Sequence, residues 1–220
     1  MYLIVTYSYL ILPIFFLLFH CKLKDRIPAT LGLYGLIFFI FLLKYDDTPK
    51  DIRKYIQAFY TFLEYSFFTF IFWYNIRNKV FRFLIPVASV FFIAFQIFFV
   101  TTTSFKRLDS IPIGIETILL FVYIFFFFYE FSKQIKDVFI YNHYSFWIAV
   151  GIMIYLGGSF FFYILINSLH QSEVDKFGNM TYIAEIIKNL LFALSIYLYK
   201  RYPVNNISNH RKNIPNLDMI

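Results

Sequence analysis

Cysteine occurs once in 220 residues, at Cys21, which excludes an intramolecular disulfide and a cysteine-built metal site. The histidines are four, His20, His143, His170 and His210. They fall at the ends of apolar stretches or in the C-terminal tail, and none pairs at i, i+4 to share a metal on one helix face. No His-Glu-x-x-His is present and no Gly-x-Ser with a partnered histidine, so the motifs of intramembrane metallo- or serine-protease chemistry are missing. Missing too is a polar stretch long enough for a soluble core, since the longest is the tail from Tyr202 to Ile220. There is no internal repeat of the kind that builds many transporters from inverted halves.

What fills the chain is apolar. Hydrophobic residues make up 60% of it, with 33 Phe and 19 Tyr, far above a soluble domain. A helix needs about 20 mostly apolar residues to cross a hydrocarbon core. Seven stretches meet or approach that length, at 2–20, 30–44, 55–75, 82–101, 112–131, 145–167 and 181–200. The sequence therefore predicts an all-α polytopic membrane protein, a bundle of seven transmembrane helices. Residues 1–201 form one domain and 202–220 a short basic tail. The first stretch opens Met1-Tyr2-Leu3-Ile4 without a basic segment or a small-residue cleavage site, so it reads as a retained helix. Pro13 and Pro86 lie inside spans and are expected to kink them. The run Asp46-Asp47-Thr48-Pro49-Lys50-Asp51 has helix-start chemistry and is expected to cap the third span, and Gln171 to Asn179 reads as a polar outer loop.

The formal net charge of +7 invites a nucleic-acid reading in a soluble protein. Here the Lys and Arg sit almost entirely between spans, where they act as topology signals, and nucleic acid is not an expected partner. With the N-terminus outside, the inner set is Lys22, Lys24, Arg26, Arg77, Lys79, Arg82, Lys133, Lys136, Lys200, Arg201, Arg211 and Lys212. The outer set is Lys44, Lys50, Arg53, Lys54, Lys106, Arg107 and Lys176. Twelve against seven favours an outer N-terminus and a cytoplasmic C-terminus in a bacterial inner membrane.

An ionisable side chain within hydrocarbon is costly and marks a functional or paired position. Glu64 lies about 13 Å along the third span, and Gln57, Tyr60, Thr61 and Glu64 share its face. On the fifth span Glu116, Leu120, Tyr123, Phe127 and Glu130 share another. On the seventh, Thr181, Glu185, Lys188, Phe192 and Ser195 form a stripe with Asn189 beside it. All three spans run from outside to inside in this topology. Their polar groups, with Gln96 of the fourth span and Asn167 of the sixth, then converge on the outer half of the bundle. Glu64, Glu116, Glu185, Lys188, Asn189, Gln57, Gln96 and Tyr123 are the candidate ligand-binding residues. Lys188 is expected to pair with Glu185 or with Glu64. Three carboxylates facing one lysine leave an imbalance, which a proton or a bound cation corrects. A structural polar network is the competing reading. A lysine on a seventh helix raises a rhodopsin-type Schiff base, but the acidic pattern of a rhodopsin third helix is absent and no cofactor is expected.

In the sixth span Gly151 and Gly158 are seven apart on one face with Trp147 and Tyr155, a helix-packing groove. The run Phe146-Trp147-x3-Gly151-x3-Tyr155-x2-Gly158 resembles that of a group of small bacterial seven-helix membrane proteins. Glu64 in Phe62-Leu63-Glu64-Tyr65 and Glu116 in Gly114-Ile115-Glu116-Thr117 match that group's recurrent acidic positions. The resemblance implies the seven-helix architecture and a sensing or signalling role. The leading expectation is thus a membrane sensor or signalling accessory protein that binds a small ligand or proton and acts through a separate cytoplasmic or membrane partner. A small transporter or channel, and an intramembrane lipid-acting enzyme using Glu64, are the alternatives. Ligand, partner and oligomeric state are not legible in the sequence.

Overall fold

A computed structural model describes residues 1–45, 48–102, 110–134, 140–165 and 171–202. Among them the chain is all helical. The elements are α1 (Tyr2–Ser8), α2 (Ile11–Leu18), α3 (Arg26–Tyr45), α4 (Lys50–Asn75), α5 (Lys79–Thr102), α6 (Ser110–Gln134), a 3-10 turn (Ile140–Asn142), α7 (Tyr144–Leu165) and α8 (Gln171–Arg201). Four helices, α3, α5, α6 and α8, are long and apolar enough to cross a membrane. α1–α2 and α7 carry shorter apolar runs. α4, at 26 residues, has the length, about 39 Å, but carries the Gln57–Glu64 polar stripe. Large apolar side chains cover the outside, among them Phe83, Phe91 and Phe98 of α5, Phe125 of α6 and Leu190 of α8. A soluble monomer does not leave so much apolar surface in water, and these faces suit a bilayer.

The first apolar stretch is not one helix. It breaks at Tyr9 and Leu10, because Pro13 has no N–H to bond the Tyr9 carbonyl four residues back. The Leu12 N–H takes that carbonyl instead, at 3.3 Å. The break swings the Tyr9 carbonyl against α3 at Gly35, where a Cβ would lie 2.6 Å from the oxygen. α2 ends in a Schellman turn: Cys21 N–H bonds the Phe16 carbonyl at 3.1 Å and His20 N–H bonds Leu17 at 3.0 Å. His20, at φ 48°, takes the left-handed position that glycine usually fills. Pro86, by contrast, sits inside an unbroken α5.

Consecutive helices pack on one another, and α7 against α8 is the most extensive contact. α1 and α2 also close over the seam between α3 and α8, so the start of the chain meets its last helix. Among the described residues α5 packs chiefly on α4 and α6, and much of its surface faces outward. Gly151 brings α8 close at Leu191 and Phe192, with contacts of 3.3 Å to a Cβ placed there. At Gly158 such a Cβ would lie 2.9 Å from that of Ala184. Below this seam Phe68, Phe72, Ile148, Ile152, Phe192 and Ile196 fill the bundle with rings and branched chains. Lipid tails are as apolar as these side chains, so their contribution is van der Waals packing and not release from water.

Two expectations at helix ends are corrected. Residues 171–179 are the first turns of α8, not a loop. The run Gln171-Ser172-Glu173-Val174-Asp175-Lys176 puts polar residues on every side of a helix, so its sequence looks like a loop. α4 begins after Pro49 with no side-chain cap, since proline offers no acceptor oxygen; Asp46 and Asp47 lie outside the described residues. The turn from α4 to α5 is held from a distance. The Glu130 carboxylate accepts the Arg77 N–H at 2.8 Å and the Asn78 N–H at 3.0 Å.

Candidate functional site

Side chains of α3, α4 and α7, with Tyr9 from the break between α1 and α2, surround the fully buried side chain of Lys188 on α8. Its Nζ donates to Tyr34 Oη at 2.7 Å, to Tyr9 Oη at 3.3 Å and to Glu64 Oε1 at 3.3 Å. The Tyr155 ring centroid lies 3.9 Å from the same nitrogen, and the rings of Tyr9, Tyr34 and Phe68 lie at 5.3, 5.2 and 5.7 Å. The ammonium thus sits in an aromatic cage, where ring quadrupoles add to the ion pair. Opposite charges at that separation attract by about 5 kcal/mol at an effective dielectric of about 20. Desolvation takes back an amount of the same order, which the hydroxyl bonds around both ions offset.

The hydroxyls link the charges into a chain. Tyr34 accepts from Lys188 and donates to Glu64 Oε1 at 3.0 Å, while Tyr155 donates to Glu64 Oε2 at 2.9 Å. Tyr9 accepts from Lys188 and donates to Glu185 Oε1 in a short bond; Tyr60 donates to the same oxygen at 3.3 Å. Of the two carboxylates that sequence spacing offers Lys188, Glu64 across the bundle makes the ion pair. Glu185, one turn away on α8, reaches it only through Tyr9.

Above this pair lies a cavity of about 170 Å³. Glu64 and Tyr155 line its deep end, and Glu116, Glu185, Tyr60 and Tyr182 its walls. Tyr2, Leu42, Tyr45 and Gln57 line its other end, where α1 begins, α3 ends and α4 begins. Tyr2 Oη bonds the Leu42 carbonyl at 2.6 Å, and Gln57 Nε2 bonds Tyr45 Oη at 2.7 Å. Glu116 is only 4% exposed, and its Oε1 has no hydrogen-bond partner. Among the described residues no group of three or more His, Cys, Asp and Glu is arranged to hold a metal ion.

The candidates do not all gather here. Gln57, Glu64, Glu116 and Glu185 line the cavity, and Lys188 adjoins it through Glu64. Asn189 turns away and donates to Ser8 Oγ at 2.7 Å. Gln96 donates to the Ala58 carbonyl at 2.7 Å, between α5 and α4. Tyr123 meets Tyr65 Oη at 3.0 Å, and Tyr65 in turn meets Ser89 at 2.9 Å. Asn167 lies outside the described residues. Of the expected packing set, Gly151 and Gly158 face α8. Trp147 bonds the Tyr141 carbonyl at 2.8 Å, and Tyr155 belongs to the lysine cage. Sequence reasoning missed Tyr9 and Tyr34. A signal for Tyr34 exists, since Ile27, Leu31, Tyr34 and Phe38 form the buried stripe of α3. None exists for Tyr9, whose position depends on the break at Pro13.

Comparison with family models, with curated proteins and with solved structures finds no match to this chain.

Proposed function

We propose that the chain is a seven-helix membrane sensor or signalling accessory protein that binds a small ligand or proton in the outer half of its bundle. In this reading α1 and α2 together make the first crossing, and α4 and α7 cross as well. The basic inner loops and tail pass the bound state to a separate partner. The observation that carries the reading is a cavity with three carboxylate residues in its lining that ends on a caged ion pair, Glu64–Lys188. Beyond the pair the bundle is packed with Phe68, Phe72, Phe192 and Ile196. A blind pocket suits a receptor, whereas a transporter needs a path that continues. An enzyme using Glu64 as acid or base needs that carboxyl group free, and it is held by Lys188, Tyr34 and Tyr155.

The test uses full-length protein in nanodiscs and in sealed liposomes, across a panel of small molecules and a pH series. A receptor gives a saturable rise in unfolding temperature with some ligand, or a proton-linked one, and no accumulation of that ligand in liposomes. Ligand uptake into liposomes overturns the reading in favour of transport.

A further inference from the structure

Resting on that reading, we infer that the ligand is a small organic ammonium ion, seated between Glu116 and Glu185 with its apolar part against the tyrosine rings. Charge is the first argument. The cavity is lined by three carboxylate residues, and the one ammonium beside it is spent: Lys188 is fully buried and engaged by Glu64, Tyr34, Tyr9 and the Tyr155 ring. Among the described residues that line the cavity there is no Lys or Arg, so an anion entering here meets acidic side chains instead.

The second argument is an unmet hydrogen bond. Glu116 lines the cavity, is 4% exposed, and leaves Oε1 without a donor. Buried carboxylate oxygens are rarely left so. The hydroxyl one residue on cannot supply the donor, because Thr117 Oγ1 is committed to the Ile113 carbonyl at 2.8 Å; across the cavity Ser159 is committed to Tyr155. None of the described residues supplies the missing donor, and an ammonium group brings up to three.

Size and lining set the rest. About 170 Å³ exceeds the roughly 150 Å³ of a cavity that admits benzene and falls below the range of drug-sized pockets. Faces of Tyr60, Tyr182 and Phe41 beside the carboxylates favour a cation with a short hydrocarbon body over a bare hydrated ion.

The experiment compares butylammonium, butanol and butyrate, alike in size and different in charge, by calorimetric titration into full-length protein in nanodiscs. Butylammonium is expected to bind saturably and at least tenfold more tightly than either of the others. Glu116→Gln, of nearly the same shape, should weaken it at least tenfold without lowering the unfolding temperature. Glu185→Gln, which still accepts from Tyr9 and Tyr60, is the second variant and should also weaken it. Equal or tighter binding of butanol or butyrate overturns the ammonium assignment and leaves the sensor reading standing. Butylammonium binding that ignores both substitutions, or no binding by any probe, overturns the assignment as well. Butylammonium uptake into liposomes through the wild-type chain, lost in Glu116→Gln, supports the assignment and overturns the sensor reading.

Discussion

At the scale of single residues, Lys188 and His143 show burial acting on a base in two settings. Lys188 keeps its partners, and removing it strands Glu64 at 4% exposure among aromatic rings. Lys188→Met is therefore expected to cost about 3 kcal/mol or more, and Lys188→Met with Glu64→Gln to recover much of that. Thermal unfolding in detergent measures both; a wild-type midpoint for the single variant would mean the lysine is reached by water. His143 lies just before α7, outside the span. Burial, with Arg77 nearby, pushes its imidazole down to about 4, and Ser145 Oγ sits 2.6 Å from Nδ1. A folded pKa below the unfolded value of about 6.5 means that the unfolded chain binds the proton more readily. The stability this group contributes is complete above about pH 6.5 and is lost as the pH falls toward 4. Wild type should thus lose more stability than His143→Gln between pH 7.5 and pH 5. Equal losses would place the imidazole in water.

At the scale of elements, close approach is specified by glycines whose surroundings differ. A methyl group on Gly35 meets the Tyr9 carbonyl at 2.6 Å, whereas one on Gly157 meets nothing within 4 Å. Gly35→Ala is expected to cost about 1–3 kcal/mol as α3 is pushed off the broken first helix. Gly157→Ala should be neutral, or more stable by up to about 1 kcal/mol, because alanine is the better helix former. Unfolding midpoints of the pair decide it, and equal losses would remove the close contact. These elements also mark how far the sequence could be read. The apolar lengths located the helices, and the stripes at spacings of three and four put Glu64, Glu116, Glu185 and Lys188 on inward faces. Hidden from view was whatever depends on two segments at once. The choice of Glu64 over Glu185 for Lys188 turns on how α4 and α8 face each other. The role of Tyr9 turns on a backbone break, and that of Tyr155 on a ring seen only once its neighbours are in place. Residues 171–179 were hidden for another reason: a polar run without an apolar stripe carries no helical periodicity to betray it.

At the scale of the whole molecule, the cavity and the charge imbalance lie toward one end. The proposed topology of seven crossings has the two chain ends on opposite faces, with the basic excess on the cytoplasmic side and the cavity toward the outside. Reporter fusions at Met1 and Ile220 are expected to give opposite signals. A cytoplasmic signal from both would mean an even number of crossings and would detach the cavity from the outer face.

Tyr9 and Lys188 stand 179 residues apart in the chain and touch in the finished fold. A ribosome releases the helices from the first onward, so Glu64 is made long before its counter-ion. During that interval the carboxyl group is without Lys188, and the broken α1–α2 segment has no α8 to close against. Assembly of this bundle is therefore completed by α8. A stop codon anywhere before Lys188 should leave no smaller stable remnant, only a chain that quality-control proteases can recognise by its orphaned acid.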